Sequence, residues 1–256
     1  MEKINKKPYI LTIVVLLIVS IGLGAYLVYD KFLMKQEENV ETVIDNVSID
    51  LNALYKVGDT LNNFDNAFNK NDSKYFEYLY KSDKINVKDF DMGAALFASV
   101  KSDLIASNSN QTILGGRIKN NFTKMFGTNI KYTPGNIDAG DKYKINYNET
   151  TKAYSYTLQA TNERKPEYLL KNTKTKLEDD KIIITRKLFY VEYSGNNAII
   201  YKTSAKEKVG EVELHNDEVD VGEVIGKYGS RLKTYNYTFI ENKADDYTFY
   251  RIELVK

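Results

Sequence analysis

The sequence has no cysteine, no tryptophan, one histidine and three prolines in 256 residues. Without cysteine there is no disulfide scaffold, no thiolate metal site, no cysteine nucleophile and no lipid-modified cysteine. A domain of this size must then be held by its core alone, and the chain is long enough to bury one. The single histidine, His215, excludes histidine-pair metal centres and multi-histidine catalysis. So few prolines leave no rigid Pro-rich stalk. Also missing is an excess of charge of either sign, since 36 basic and 35 acidic residues leave a formal net charge of +1. That balance argues against a nucleic-acid partner and against a polybasic face that would hold anionic lipid.

Lys, Asn, Ile and Tyr are abundant, a composition read as that of an AT-rich bacterial genome. The Asn-x-Ser/Thr sequons at Asn46, Asn71, Asn110, Asn121, Asn148 and Asn236 follow from the same bias.

From Tyr9 to Tyr29 no residue is charged, and the run from Ile10 to Val19 is almost wholly apolar. A helix needs about 20 such residues to cross the hydrocarbon core. Tyr9, Tyr26 and Tyr29 suit the interfacial belts, and Lys3, Lys6 and Lys7 before the span place the N-terminus in the cytoplasm. Small residues at Ser20, Gly22, Gly24 and Ala25 keep a cleaved signal peptide open as an alternative. The apolar character continues through Val28, past any plausible cut, which favours the uncleaved anchor. The expected organisation is residues 1–8 cytoplasmic, 9–29 a transmembrane anchor and 30–256 an extracytoplasmic α+β domain, helical over 38–127 and mainly β over 140–256.

Apolar residues from Val40 to Phe68 recur at steps of three and four, the signature of a helix face. Gly58 and the Asn62-Asn63 pair predict a break within it, and residues 66–73 read as a polar turn. Further helices are expected at 74–80, 91–106 and 114–126, the last capped by Gly127, with a loop over 107–111. Beyond residue 130 the period falls to two. Strands are expected over 143–147 and 154–158 around a turn at 149–152. Others follow over 181–193, 198–203, 209–215, 232–241 and 247–254, pairing antiparallel. Helices first and strands afterwards is the α+β pattern. The expected fold is a helical segment packed on a curved antiparallel β-sheet, in the manner of cystatin-like or nuclear-transport-factor-like domains. A division into two domains near residue 135 is left open.

Motifs that carry chemistry are few. His215 lacks a Gly-x-Ser-x-Gly nucleophile elbow to serve. The acidic cluster Asp217, Glu218, Asp220 and Glu223 fails the calcium-loop register, because glycine falls at the seventh place from Asn216 and Lys227 at the twelfth. It reads as a solvated turn. No phosphate loop or dinucleotide fingerprint is present. Tyrosine is the odd abundance at 21. The rows Tyr235, Tyr237, Phe239 and Tyr154, Tyr156 read as core faces of strands in preference to an aromatic binding surface. No catalytic, metal or cofactor-binding residue is assigned.

The segments Leu79-Tyr80-Lys81-Ser82-Asp83-Lys84-Ile85 and Phe126-Gly127-Thr128-Asn129-Ile130-Lys131-Tyr132, with the hairpin over 235–254, resemble uncharacterised single-pass membrane proteins of low-GC Gram-positive bacteria and their wall-less relatives. The resemblance implies source and topology and carries no activity. The leading expectation is a non-enzymatic envelope protein that uses no cofactor. Its contacts would be the lipid bilayer, through the N-terminal helix, and an envelope protein or cell-wall component, through an apolar or aromatic surface patch. A small-ligand cup between helices and sheet, or a carboxylate-based wall hydrolase, are the alternatives.

Overall fold

The computed structural model describes residues 49–101, 103–104, 111–158, 164–243 and 246–256. The expected anchor over 9–29 lies outside them, and among the described residues no helix is long and apolar enough to cross a membrane. The described chain falls within one compact unit, Asn46–Lys256. It is α+β with antiparallel sheets.

Helix α1, Leu51–Phe68, opens on Asp50, whose side chain accepts the Ala53 amide, and buries Ala53, Val57, Leu61, Phe64 and Phe68 on one face. It is unbroken. Gly58 and Asn62 lie off that face, so their low helix propensity is outweighed by packing. Over 74–80 the expected helix is absent. There the chain makes turns and a single 3₁₀ turn at Tyr78–Tyr80, because Glu77 stands in the left-handed region at φ 57°. Strand β1, Lys84–Asn86, follows, and then α2, Met92–Lys101. From Ala94 to Val100 every α2 side chain is buried, as expected of a helix apolar all round.

Strand β2, Gln111–Leu114, leads directly into α3, Gly115–Phe126. Gly127 ends α3 as expected, with a positive φ of 58°, but its ψ of −132° lies outside the left-handed helical basin. A Cβ there would stand 2.9 Å from Thr248 Cγ2, so glycine serves close approach as well as backbone freedom. Strands β3 (Ile137–Asp138), β4 (Tyr143–Asn148) and β5 (Ala153–Leu158) join β2 in a four-stranded sheet of order β2-β5-β4-β3.

The larger sheet holds β6 (Glu167–Glu178), β7 (Lys181–Ser194), β8 (Asn197–Tyr201), β9 (Lys208–Glu213), β10 (Lys233–Lys243), β11 (Asp246–Leu254) and β1. Helix α4, Val221–Tyr228, interrupts the strand series. Strand β7 is the hub. Its residues 181–191 pair with β6 along one edge. Along the other edge β10 takes residues 181–188 and β8 takes 190–194, so the sheet forks there.

Side chains of β7 alternate between two cores. Ile182, Ile184, Leu188 and Tyr190 enter the main core, which draws on α1, α2, α3 and both sheets. Phe189 and Val191 enter a smaller one beneath α4. A single curved sheet therefore does not describe the domain, and the main core spans residues on both sides of position 135. At its centre the Phe64 ring meets Phe249 edge-on at 4.9 Å and packs near Phe68, Phe90 and Phe126. The rows Tyr235, Tyr237, Phe239 and Tyr154, Tyr156 are buried core faces, as read from the sequence.

One buried charge pins α1 to this sheet. Arg186 of β7 donates from Nη1 to Asp65 Oδ1 at 2.8 Å and from Nη2 to Oδ2 at 2.6 Å. Its side chain is 6% exposed against 31% for Asp65. Asn69 donates to Asp65 at 3.1 Å, accepts from the Tyr80 hydroxyl at 2.8 Å, and Tyr80 meets the Tyr237 hydroxyl at 3.0 Å. Burial works against the charge on Arg186, but the Asp65 carboxylate more than offsets it and holds its pKa up. Removing the carboxylate strands a buried cation, whereas Asp65 without its partner still reaches water. Asp65→Ala should therefore cost about 3 kcal/mol of unfolding free energy, and more than Arg186→Met. Urea unfolding of the two variants checks this, and equal or reversed costs would refute the assignment.

Candidate functional site

The residues weighed for chemistry in the sequence gather at the turn before α4 and along its first turn. The ring nitrogen Nε2 of His215 lies 3.6 Å from Glu223 Oε2, and the side chain is largely exposed. Asn216 and Asp217 take positive φ in the tight turn where His215 bridges Glu218. Asp220 caps α4 by accepting the amides of Gly222 at 2.8 Å and Glu223 at 3.1 Å. Glu223 pairs with Lys227 one turn on. Among the described residues no three His, Asp or Glu side chains converge as a metal site would need.

Among the described residues the exposed large apolar side chains are dispersed. Leu51 and Tyr55 are exposed one turn apart on α1, while Leu114, Leu177 and Tyr250 come from separate strands. Aromatic side chains pack between helices and sheets, and several cavities open at the surface.

The first of these runs between the polar faces of α1 and α3 and holds about 340 Å³. Asp59, Asn62, Asn63 and Asn66 lie at helical spacing on α1, and Arg117, Asn121 and Lys124 do so on α3. Asn121 is fixed, donating to the Ser99 carbonyl at 3.0 Å and to Asp103 Oδ2 at 2.8 Å. Arg117 pairs with the other oxygen of Asp103. Asn62 and Asn66 are exposed. Each amide offers two N–H donors and a carbonyl acceptor in one plane. The Asp103–Arg117 pair is shared with a second groove of about 380 Å³, whose walls include Ile113, Leu114 and Tyr156. The two openings adjoin at this pair, the first lined mainly by polar side chains and the second partly by apolar ones.

A third opening, of about 210 Å³, lies where the turn after α1 meets the start of β6. The Asn71 amide donates to the Pro166 carbonyl at 3.3 Å and the Tyr168 amide to the Asn69 carbonyl at 2.7 Å, zipping the two segments together. Behind it Asp72 is 9% exposed and gathers three donors on Oδ2: Lys101 at 3.0 Å, Lys142 at 3.2 Å and the Tyr143 hydroxyl at 2.5 Å. Burial alone would push the Asp72 carboxyl up, but Lys101, Tyr143 and Lys142 together hold it below its ordinary 3.8. Burial pushes the Lys101 ammonium down against the pull of Asp72, so the net gain resides on the carboxylate. Burial and then the bond to Asp72 push the Tyr143 hydroxyl up, leaving it a proton donor at neutral pH.

No family model, no curated protein and no solved structure matches this chain.

A carboxyl with a depressed folded pKa stabilises above its unfolded pKa, and that stability is lost as pH falls through the folded value. The stability gap between the parent and Asp72→Asn should therefore be constant above about pH 5 and close as the pH drops below about 4. Urea titrations at stepped pH measure it. A gap that stays constant to the acid limit would show that the Asp72 charge contributes nothing.

Proposed function

We propose that this is a single-pass membrane protein whose outer domain is a non-catalytic binding module of the cell envelope. In this reading residues 9–29 are the anchor, residues 1–8 are cytoplasmic, and the domain holds a hydroxyl-rich cell-wall glycan in the groove between α1 and α3. The uncharged stretch Tyr9–Tyr29, with Lys3, Lys6 and Lys7 before it, supports the topology. Protease added to intact protoplasts should degrade residues beyond the anchor and spare a tag at the N-terminus. Protection of the domain would reverse the orientation.

The groove itself carries the reading of the ligand. Its polar end sets the carboxylates of Asp59 and Asp103 and the amides of α1 and α3 beside the cations Arg117 and Lys124, and the amides and carboxylates are planar groups that donate or accept in defined directions. Such groups recognise hydroxyl and acetamido substituents, and two adjoining open grooves suit a polymer better than an enclosed small molecule. Specificity would come from the free amides of Asn62 and Asn66, with Asn121 and Asp103 held in place by their own hydrogen bonds.

Detergent-solubilised full-length protein should cosediment with purified wall sacculi, and the pair Asn62→Ala, Asn66→Ala should weaken that about thirtyfold, two net hydrogen bonds of about 1 kcal/mol each being at stake. Normal cosedimentation by the folded double variant would remove the groove from the proposal. Asp59 and Asp103 share this groove, so the supernatant is also assayed for released sugar. Release abolished by Asp59→Asn would replace the binding reading with the hydrolase one.

A further inference from the structure

The opening beside Asp72 is distinct from the helix groove in position and in charge. Lys70, Lys142, Arg164 and Lys165 line it, with Lys101 just behind, against only two carboxylates, Asp72 and Glu167. Asp72 is the counter-ion of Lys101 and Lys142, whereas Glu167 accepts the neutral Tyr193 hydroxyl at 2.6 Å and keeps its charge, so the lining still holds more cations than anions. Among the described residues no carboxylate pairs with Lys70, Arg164 or Lys165.

The donors are also held. The Arg164 guanidinium lies over Tyr193, 3.6 Å from the ring centroid, which restricts its position. Lys142 is 22% exposed and tied to Asp72 through one of three ammonium protons. Lys70 and Lys165 sit on the two segments zipped together by the backbone bridge between Lys70 and Glu167. Four cationic groups from three separate stretches of chain thus face one small concavity, with Asp72 anchoring the deepest of them. Like charges gathered in one concavity repel one another and attract an anion into the space between them.

We propose that this opening is a phosphate-binding site. A tetrahedral anion offers several oxygens to donors arriving from different directions, and Arg and Lys together match it better than a carboxylate's two oxygens would. The same chemistry is found in a soluble phosphate ester and in a phospholipid headgroup, and the volume admits either group. The site stands apart from the glycan groove, so neither assignment depends on the other.

The test uses detergent-solubilised full-length protein at low ionic strength, titrated calorimetrically with inorganic phosphate and, separately, with dihexanoyl phosphatidylglycerol below its micelle concentration. Saturable phosphate binding is expected, weakened at least tenfold in Lys70→Gln with Lys165→Gln and unchanged in Lys88→Gln, an exposed lysine of the turn after β1. Circular dichroism verifies that the double variant is folded. Tighter binding of the lipid probe than of phosphate, lost in the same variant, assigns the site to a headgroup. Equal or weaker binding assigns it to a soluble phosphate. Absence of saturable binding of either probe, or the same loss in Lys88→Gln, overturns the proposal.

Discussion

The pair between Arg186 and Asp65 is the constraint on which the arrangement of the domain turns. Arg186 sits at the midpoint of β7, the strand that carries β6 on one edge and both β10 and β8 on the other. A guanidinium buried there is tolerable only if a carboxylate arrives in bidentate geometry, and α1 supplies it. The pair therefore sets the rotation of α1 about its axis. Once Asp65 points at the sheet, Phe64 and Phe68 must enter the aromatic core, and Asp59, Asn62 and Asn66 must face away. The polar wall of the helix groove follows from a charge pair on the other side of the same helix.

Lacking cysteine and tryptophan, the core is built from phenylalanine and tyrosine. Tyrosine brings a hydroxyl that must be satisfied when buried, and this chain satisfies it by linking elements far apart in sequence. Tyr80 joins the turn after α1 to Tyr237 in β10. Tyr168 donates to Glu77 at 3.1 Å and accepts the Ser204 amide at 2.9 Å. Glu77 also accepts the Ser204 hydroxyl at 2.6 Å. These bonds explain why Glu77 tolerates its left-handed backbone: Tyr168 and Ser204, bonded to Glu77 and to each other, hold its neighbourhood in the one conformation that serves them all.

What the sequence made legible was governed by burial. The hairpins over 143–158 and 233–254 and the long strand β7 announce themselves because alternate residues face a core. Strand β6 gave no such signal. Its run Lys171-Asn172-Thr173-Lys174-Thr175-Lys176 is polar on both faces, since it is an edge whose lysines keep other strands away, and only its pairing with β7 defines it. Helix α4 was hidden by two glycines and a short length, although Asp220 followed three residues later by Glu223 is the spacing of a capping box. Over 74–80 the helix expectation failed because tertiary hydrogen bonds outweigh the propensity of so short a segment. Neither surface opening was legible. The helix groove needs two helices to be rotated correctly, and the phosphate opening gathers residues 70, 142 and 164–165 from three elements.

Net charge misleads for the same reason. A balance of +1 excludes a broadly basic face, but it averages over the whole chain and says nothing of where the charges pair. Many of the described lysines are neutralised locally, among them Lys74 by Asp138, Lys202 by Glu207, Lys206 by Glu192 and Lys227 by Glu223. Such pairs contribute little to stability, but they remove their charges from the long-range field. What survives that cancellation is the part of the surface able to attract an ion. At the start of β6 the cancellation is incomplete because Asp72 spends its carboxylate inward, on Lys101 and Lys142. The internal ion pair that closes the floor of the opening is thereby also the reason its rim stays cationic, so the stability of the fold there and the affinity of the site draw on the same carboxylate.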